Sequence, residues 1–117
     1  MNVLQGKEFK KELKKLQKKY PSLPKDLAVI EKLIFAFPFG EDSRHCNVLK
    51  QAKRKFICKR RMMCRSVKGS EFRVIYFYDG ETITLEYLEI YYKGNKEAED
   101  KKRVDQIWEE KMEAMAS

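Results

Sequence analysis

Between Phe56 and Lys93 side-chain character alternates with a period of two, the mark of β-structure, and no other stretch of the chain limits the fold so tightly. Three segments carry it: FICKRRMMCRS, EFRVIYFY and TITLEYLEIYY, joined by turns at VKG and DGE. In the first, Ile57, Lys59, Arg61, Met63 and Arg65 share one face, against Phe56, Cys58, Arg60, Met62 and Cys64 on the other. One face is cationic and the other mostly apolar. In the second, Phe72, Val74, Tyr76 and Tyr78 oppose Arg73, Ile75 and Phe77, so both faces are largely apolar and the strand is expected at the centre of a sheet. Arg73 then needs either a buried carboxylate, with Glu86, Glu89 and Asp79 in reach, or a polar groove, because an unpaired buried charge is costly. The expected sheet packs its back on helices and presents a basic, aromatic-bordered front.

The flanking segments read as helices. Phe9, Leu13, Leu16 and Tyr20 are spaced four, three and four apart, which draws one apolar stripe on a helix from Lys7 to Tyr20. Pro21 stops it, and Leu23 with Pro24 opens a second helix whose buried side is expected to be Leu27, Ile30, Leu33, Ile34 and Phe37. Pro38 and Gly40 close this one, and the short connection makes the two an antiparallel hairpin. FGEDSRHCNVLKQA, Phe39 to Ala52, has no clear period and reads as a crossing loop. Lys50, Lys53, Arg54 and Lys55 follow as a basic run, by default a solvated, charge-repelling edge, though such an edge also grips phosphates. After the strands, Asn95 is expected to cap a helix over 95–115, with Glu97, Glu99 and Asp100 in its first turn and Val104, Ile107, Trp108, Met112 and Met115 as its stripe. This helix either packs along its whole length or extends its last turns toward a partner. A short first strand fits Asn2 to Gln5, giving an α+β arrangement in one domain, 1–117.

Charge narrows the classes of partner. Lys and Arg number 26 against 18 Asp and Glu, a formal +8 with a pI near 9.4, which favours nucleic acid, an anionic surface or an acidic protein. No run approaches the ~18 apolar residues of a membrane span, and the opening MNVLQGKEFKK lacks the apolar core of a signal peptide, so a cytoplasmic protein is expected. Cys46, Cys58 and Cys64 show no CxxC pair and read as reduced, partly buried thiols. His45 beside Cys46, without further ligands at suitable spacing, reads as a loop histidine and not as a metal site.

KRRMMCRSVKGSEFRVIYFYDGETITLEYLEIYYKGNK resembles the central segment of the RelE/ParE superfamily of toxin-antitoxin toxins, in which a basic strand leads into a hairpin and then an aromatic, an arginine, two aliphatics and a tyrosine. Phe72, Arg73, Val74, Ile75 and Tyr76 carry that phrase, Asp79 and Gly80 the turn, and Ile90, Tyr91, Tyr92 and Lys93 the end of the last strand. The resemblance implies a RelE-like fold: a helical hairpin on a small, mostly antiparallel twisted sheet, followed by a C-terminal helix.

It further implies one of two activities, ribosome-dependent mRNA cleavage in the RelE branch or inhibition of DNA gyrase in the ParE branch. Cleavage of this kind has the RNA 2′-hydroxyl attack the adjacent phosphate and needs a base, cations on the phosphorane and an acid at the leaving 5′-oxygen. Arg73 matches the family's arginine on the scissile phosphate, Lys93 its second arginine and Arg61 its strand lysine. Lys59, Arg65, Lys53 and Arg54 would add RNA-binding charge. Relatives often place a tyrosine or histidine just after the last strand; Gly94 to Asp100 holds neither, leaving Tyr91 or Tyr92 as substitutes beside Lys93. A relative that only binds RNA or a partner is the other implied reading. The implied partners are mRNA, the ribosome and an acidic antitoxin whose binding weakens with salt, with no metal or cofactor.

Overall fold

A five-stranded sheet forms the middle of the protein, with helices on both of its faces. The structure, a computed structural model, describes residues 1–40, 45–68 and 71–116. In chain order the elements are β1 (Asn2–Gln5), α1 (Lys7–Gln17), α2 (Leu23–Ala36), β2 (Cys46–Ala52), β3 (Lys55–Met62), β4 (Phe72–Asp79), β5 (Thr84–Tyr92) and α3 (Lys101–Ala116). The sheet order is β1-β5-β4-β3-β2, antiparallel except for the β1 and β5 pair, so the class is α+β with a mixed sheet.

The helical hairpin seals one face. Phe9 of α1 stacks on Tyr87 with ring centroids 5.0 Å apart, and Tyr20 meets Phe72 at 5.1 Å and Tyr92 at 5.4 Å. Leu23, Leu27, Ile30 and Ile34 line the buried side of α2, above Cys58, Met62, Val74, Tyr76 and Ile90. Each fully buried aliphatic side chain here is worth roughly 1.5–3 kcal/mol against exposure. Leu33 and Phe37, expected in this core, are instead 41% and 37% exposed. The helix turns the Leu23, Leu27, Ile30 and Ile34 edge inward, and residue 33 falls outside that stripe. Helix α1 ends at Gln17, three residues before the expected Tyr20, whose backbone N–H still reaches the Leu16 carbonyl at 2.9 Å.

α3 covers part of the opposite face. Val104, Ile107 and Trp108 pack over Ile57, Ile75, Phe77, Leu88 and Tyr91. The helix begins at Lys101, not at Asn95. Asp100 is its true cap: the carboxylate accepts the Arg103 N–H at 3.0 Å, and the Asp100 N–H donates to Glu89 at 2.9 Å. Residues 93–100 form a non-helical strap between β5 and α3.

The crossing loop expected over Phe39 to Ala52 contains strand β2. An edge strand pairs on one side only, so it tolerates polar residues such as Asn47, Lys50 and Gln51 that hide its period. A bulge between Val48 and Lys50 breaks its alternation further. Glu41 to Arg44, Gly69 of the expected VKG turn, and Ser70 after it lie outside the described residues. Gly40 ends the hairpin at φ 79°, with Cys46 occupying the space a Cβ would need, so glycine is required there. None of the described helices is long and apolar enough to cross a membrane.

Candidate functional site

Strand register brings the basic side chains together. Arg61 pairs with Arg73 across β3 and β4, and Arg73 with Tyr91 across β4 and β5. His45, just before β2, extends this row, its carbonyl accepting the Arg61 N–H at 3.0 Å. One step along, Asn47 faces Lys59 and Lys59 faces Ile75. All of these lie on the α3 face, where α3 covers Ile75 and Tyr91 and the basic side chains lie beyond it. The result is a hollow of about 280 Å³ lined by His45, Asn47, Lys59, Arg61, Arg73 and Lys93. Four of the six are permanently or normally cationic side chains drawn from β3, β4 and the residue after β5.

The charges are held in two ways. Lys59 Nζ bonds Glu99 of the strap at 2.8 Å, and Lys93 Nζ donates to the Glu97 carbonyl at 2.5 Å. Arg73 donates to the Phe72 carbonyl at 3.1 Å, while the carboxylates expected as its partners are engaged elsewhere: Glu86 with Lys111, Glu89 with Lys96 and Asp79 with Lys55. Burial and then the Arg61 charge lower the Arg73 guanidinium from its ordinary value, which means the hollow already resents its own positive charge. An anion placed between the two arginines relieves that. Burial would raise the Glu99 carboxyl, but the Lys59 hydrogen bond and charge outweigh it and keep Glu99 below the ordinary range.

Tyr91 forms the inner end of the row. Only 5% exposed, it has a hydroxyl with no hydrogen-bond partner among the described residues, and burial followed by the Glu99 and Glu89 charges pushes it up to about 12. Its cross-strand partner is Arg73, whose charge partly offsets that rise.

Arg61, Arg73 and Lys93, together with Lys59 and Tyr91, are thus neighbours; the other candidates are not. Tyr92 lies on the opposite face, packed against Tyr20 and Phe72, because neighbouring strand residues point oppositely. Lys53 and Arg54 form the β2 to β3 turn, where the Arg54 carbonyl accepts the Gly80 N–H at 2.8 Å, seven residues along the chain from Arg61, or roughly 23 Å. Arg65 lies past the end of β3 and turns to Asp26, 3.8 Å away, because the strand stops at Met62 and face parity no longer applies. Arg65 instead borders a second groove of about 690 Å³, with Val29, Leu33 and Met63 exposed in it and Arg61 and Lys68 at its rim. His45 and Arg61 line both cavities, so the two adjoin.

Sequence reasoning read His45 as a loop histidine and Glu99 as a first-turn helix residue, and gave neither of them, nor Asn47, a place in the site. His45 and Asn47 are placed by the register of a strand that read as loop, and Glu99 by a strap that read as helix; no local signal marks either. Among the described residues no three His, Cys, Asp or Glu side chains gather as metal ligands would. Cys46 and Cys58 sit with Tyr76 on the hairpin face: hydrogen bonding from Cys58, opposed by burial, lowers the Cys46 thiol, and the same contact with burial raises Cys58. These thiols face away from the hollow. No family model, curated protein or solved structure matches the chain.

Proposed function

We propose that this chain is a RelE-like member of the RelE/ParE superfamily, a cytoplasmic toxin that cuts mRNA on the ribosome at the cationic hollow. The single observation that carries the reading is the convergence of Lys59, Arg61, Arg73 and Lys93 on one hollow sized for a phosphate and its sugar. Arg61 and Arg73 bracket the non-bridging oxygens, and their charge is worth most as the phosphorane develops. Lys93 adds a point charge where a fork is not required. The 2′-oxygen attacks phosphorus, its proton passes to the Lys59 and Glu99 pair, whose carboxylate is the acceptor, and the P–O5′ bond breaks to leave a cyclic phosphate and a 5′-hydroxyl. The order of helices and strands is compatible with the RelE-like fold. An acidic antitoxin peptide fits the adjoining groove, with apolar side chains on Leu33 and Met63 and carboxylates on Arg65 and Lys68.

Programmed ribosomes mixed with the purified chain provide the test. Site-specific mRNA cuts are expected with wild type and a roughly 10²–10³-fold loss in Arg73→Ala; intact mRNA with wild type removes the reading. The alternative is a non-catalytic binder on the same scaffold, a ParE-like gyrase inhibitor or an RNA-binding relative. It is favoured by the strap, which ties back Lys59 and Lys93. Inhibited supercoiling, or RNA bound without scission, is what it predicts.

A further inference from the structure

The hollow holds cations for the phosphate, and Glu99, bonded to Lys59, takes the 2′-proton, yet the reaction also needs a proton for the departing 5′-oxygen. Guanidinium groups cannot supply it, since they do not release a proton at usable pH. Lys59 is bonded to Glu99, Lys93 to the Glu97 carbonyl, and Asn47 has no proton to transfer. Tyr91 is buried at the inner end. His45 is exposed, lines the hollow and stands at the β2 end of the row that runs through Arg61 and Arg73 to Tyr91. An imidazole can hold and give up a proton near neutral pH. Its place is fixed by backbone as well, because the His45 carbonyl accepts the Arg61 N–H.

We propose that His45 is the catalytic acid of this site, standing on the opposite flank of the two arginines from Tyr91 and protonating the leaving 5′-oxygen of RNA. This rests on the ribonuclease reading above. As the 2′-O–P bond forms and the P–O5′ bond breaks, the electron pair goes to O5′, and a ring nitrogen of His45 delivers the proton that makes it a hydroxyl. The arrangement places the acid at the start of β2 and explains how a chain with neither histidine nor tyrosine in Gly94 to Asp100 can complete the reaction.

The experiment compares two RNAs on programmed ribosomes: ordinary RNA, and RNA with sulfur in place of the 5′-bridging oxygen at the cut site, whose leaving thiolate needs no proton. His45→Ala and His45→Gln are each expected to lose about 10²–10⁴-fold on ordinary RNA and to cut the sulfur substrate within a few fold of wild type, with unchanged urea midpoints. Equal losses on both RNAs, or no loss on ordinary RNA, overturn the assignment of His45 while leaving the ribonuclease standing. A wild type that cuts neither RNA overturns both.

Discussion

The two faces of the sheet are built from strands of the same composition class but finished differently. On the hairpin face, aromatic and aliphatic side chains from α1, α2, β3, β4 and β5 interlock from Phe9 to Tyr78, and the lone buried charge of α2, Asp26, is bonded by Ser22 and by the Arg65 N–H. On the other face, α3 covers Ile57, Ile75, Phe77 and Tyr91 and stops short of His45, Arg61 and Arg73. Apart from Arg60, buried under the hairpin and bonded to the Phe37 carbonyl, the covered parts are largely apolar, and the cations of the hollow sit where no helix lies. Burial is therefore concentrated on the hairpin face and exposed cationic charge on the uncovered end of the other.

Removing a side chain from the sealed face should have the largest effect. Ile34→Ala leaves a cavity beneath α2 at a position with no exposure, and a loss of about 2–5 kcal/mol is expected in urea unfolding. Arg61→Ala, on the open end, should stay within about 0.5 kcal/mol of wild type in the same measurement. Comparable losses for the two would erase the contrast.

A smaller effect is expected at the strap. The folded Glu99 carboxyl lies below its ordinary value of 4.5, so its contribution to stability is present above that pH and fades as the pH falls through the folded value. Glu99→Gln should cost under about 1 kcal/mol at pH 7, and the difference between wild type and variant should shrink steadily as the pH falls through the folded Glu99 value. A difference that does not shrink in acid would mean the strap is held by something other than the Lys59 and Glu99 pair.

Much of this was legible in the alternation itself. The parity of Lys59 and Arg61 with Arg73 follows from a period of two, and the stripe of Phe9, Leu13 and Leu16 from a period near four. Edge strand β2 was hidden because a strand with one open edge needs little apolar patterning, and with it went the placement of His45. The start of α3 was misplaced because Asn95, Glu97 and Glu99 are good helix openers by type, while Glu89 draws the Asp100 N–H and sets the cap there. Tyr91 and Tyr92 are adjacent in sequence and part company only because the strand continues through both. Arg65 was assigned by a parity that ended three residues earlier.

RNA affinity measured across a range of salt concentrations tests the central claim most directly. Arg61→Ala and Arg73→Ala should each weaken binding of a short single-stranded RNA and lower the salt slope by about one, while the paired change Lys53→Ala with Arg54→Ala, at the far end of the sheet, should leave both nearly unchanged. If the far-end change weakens binding and the two arginines can be lost without effect, the hollow is not where this protein meets RNA.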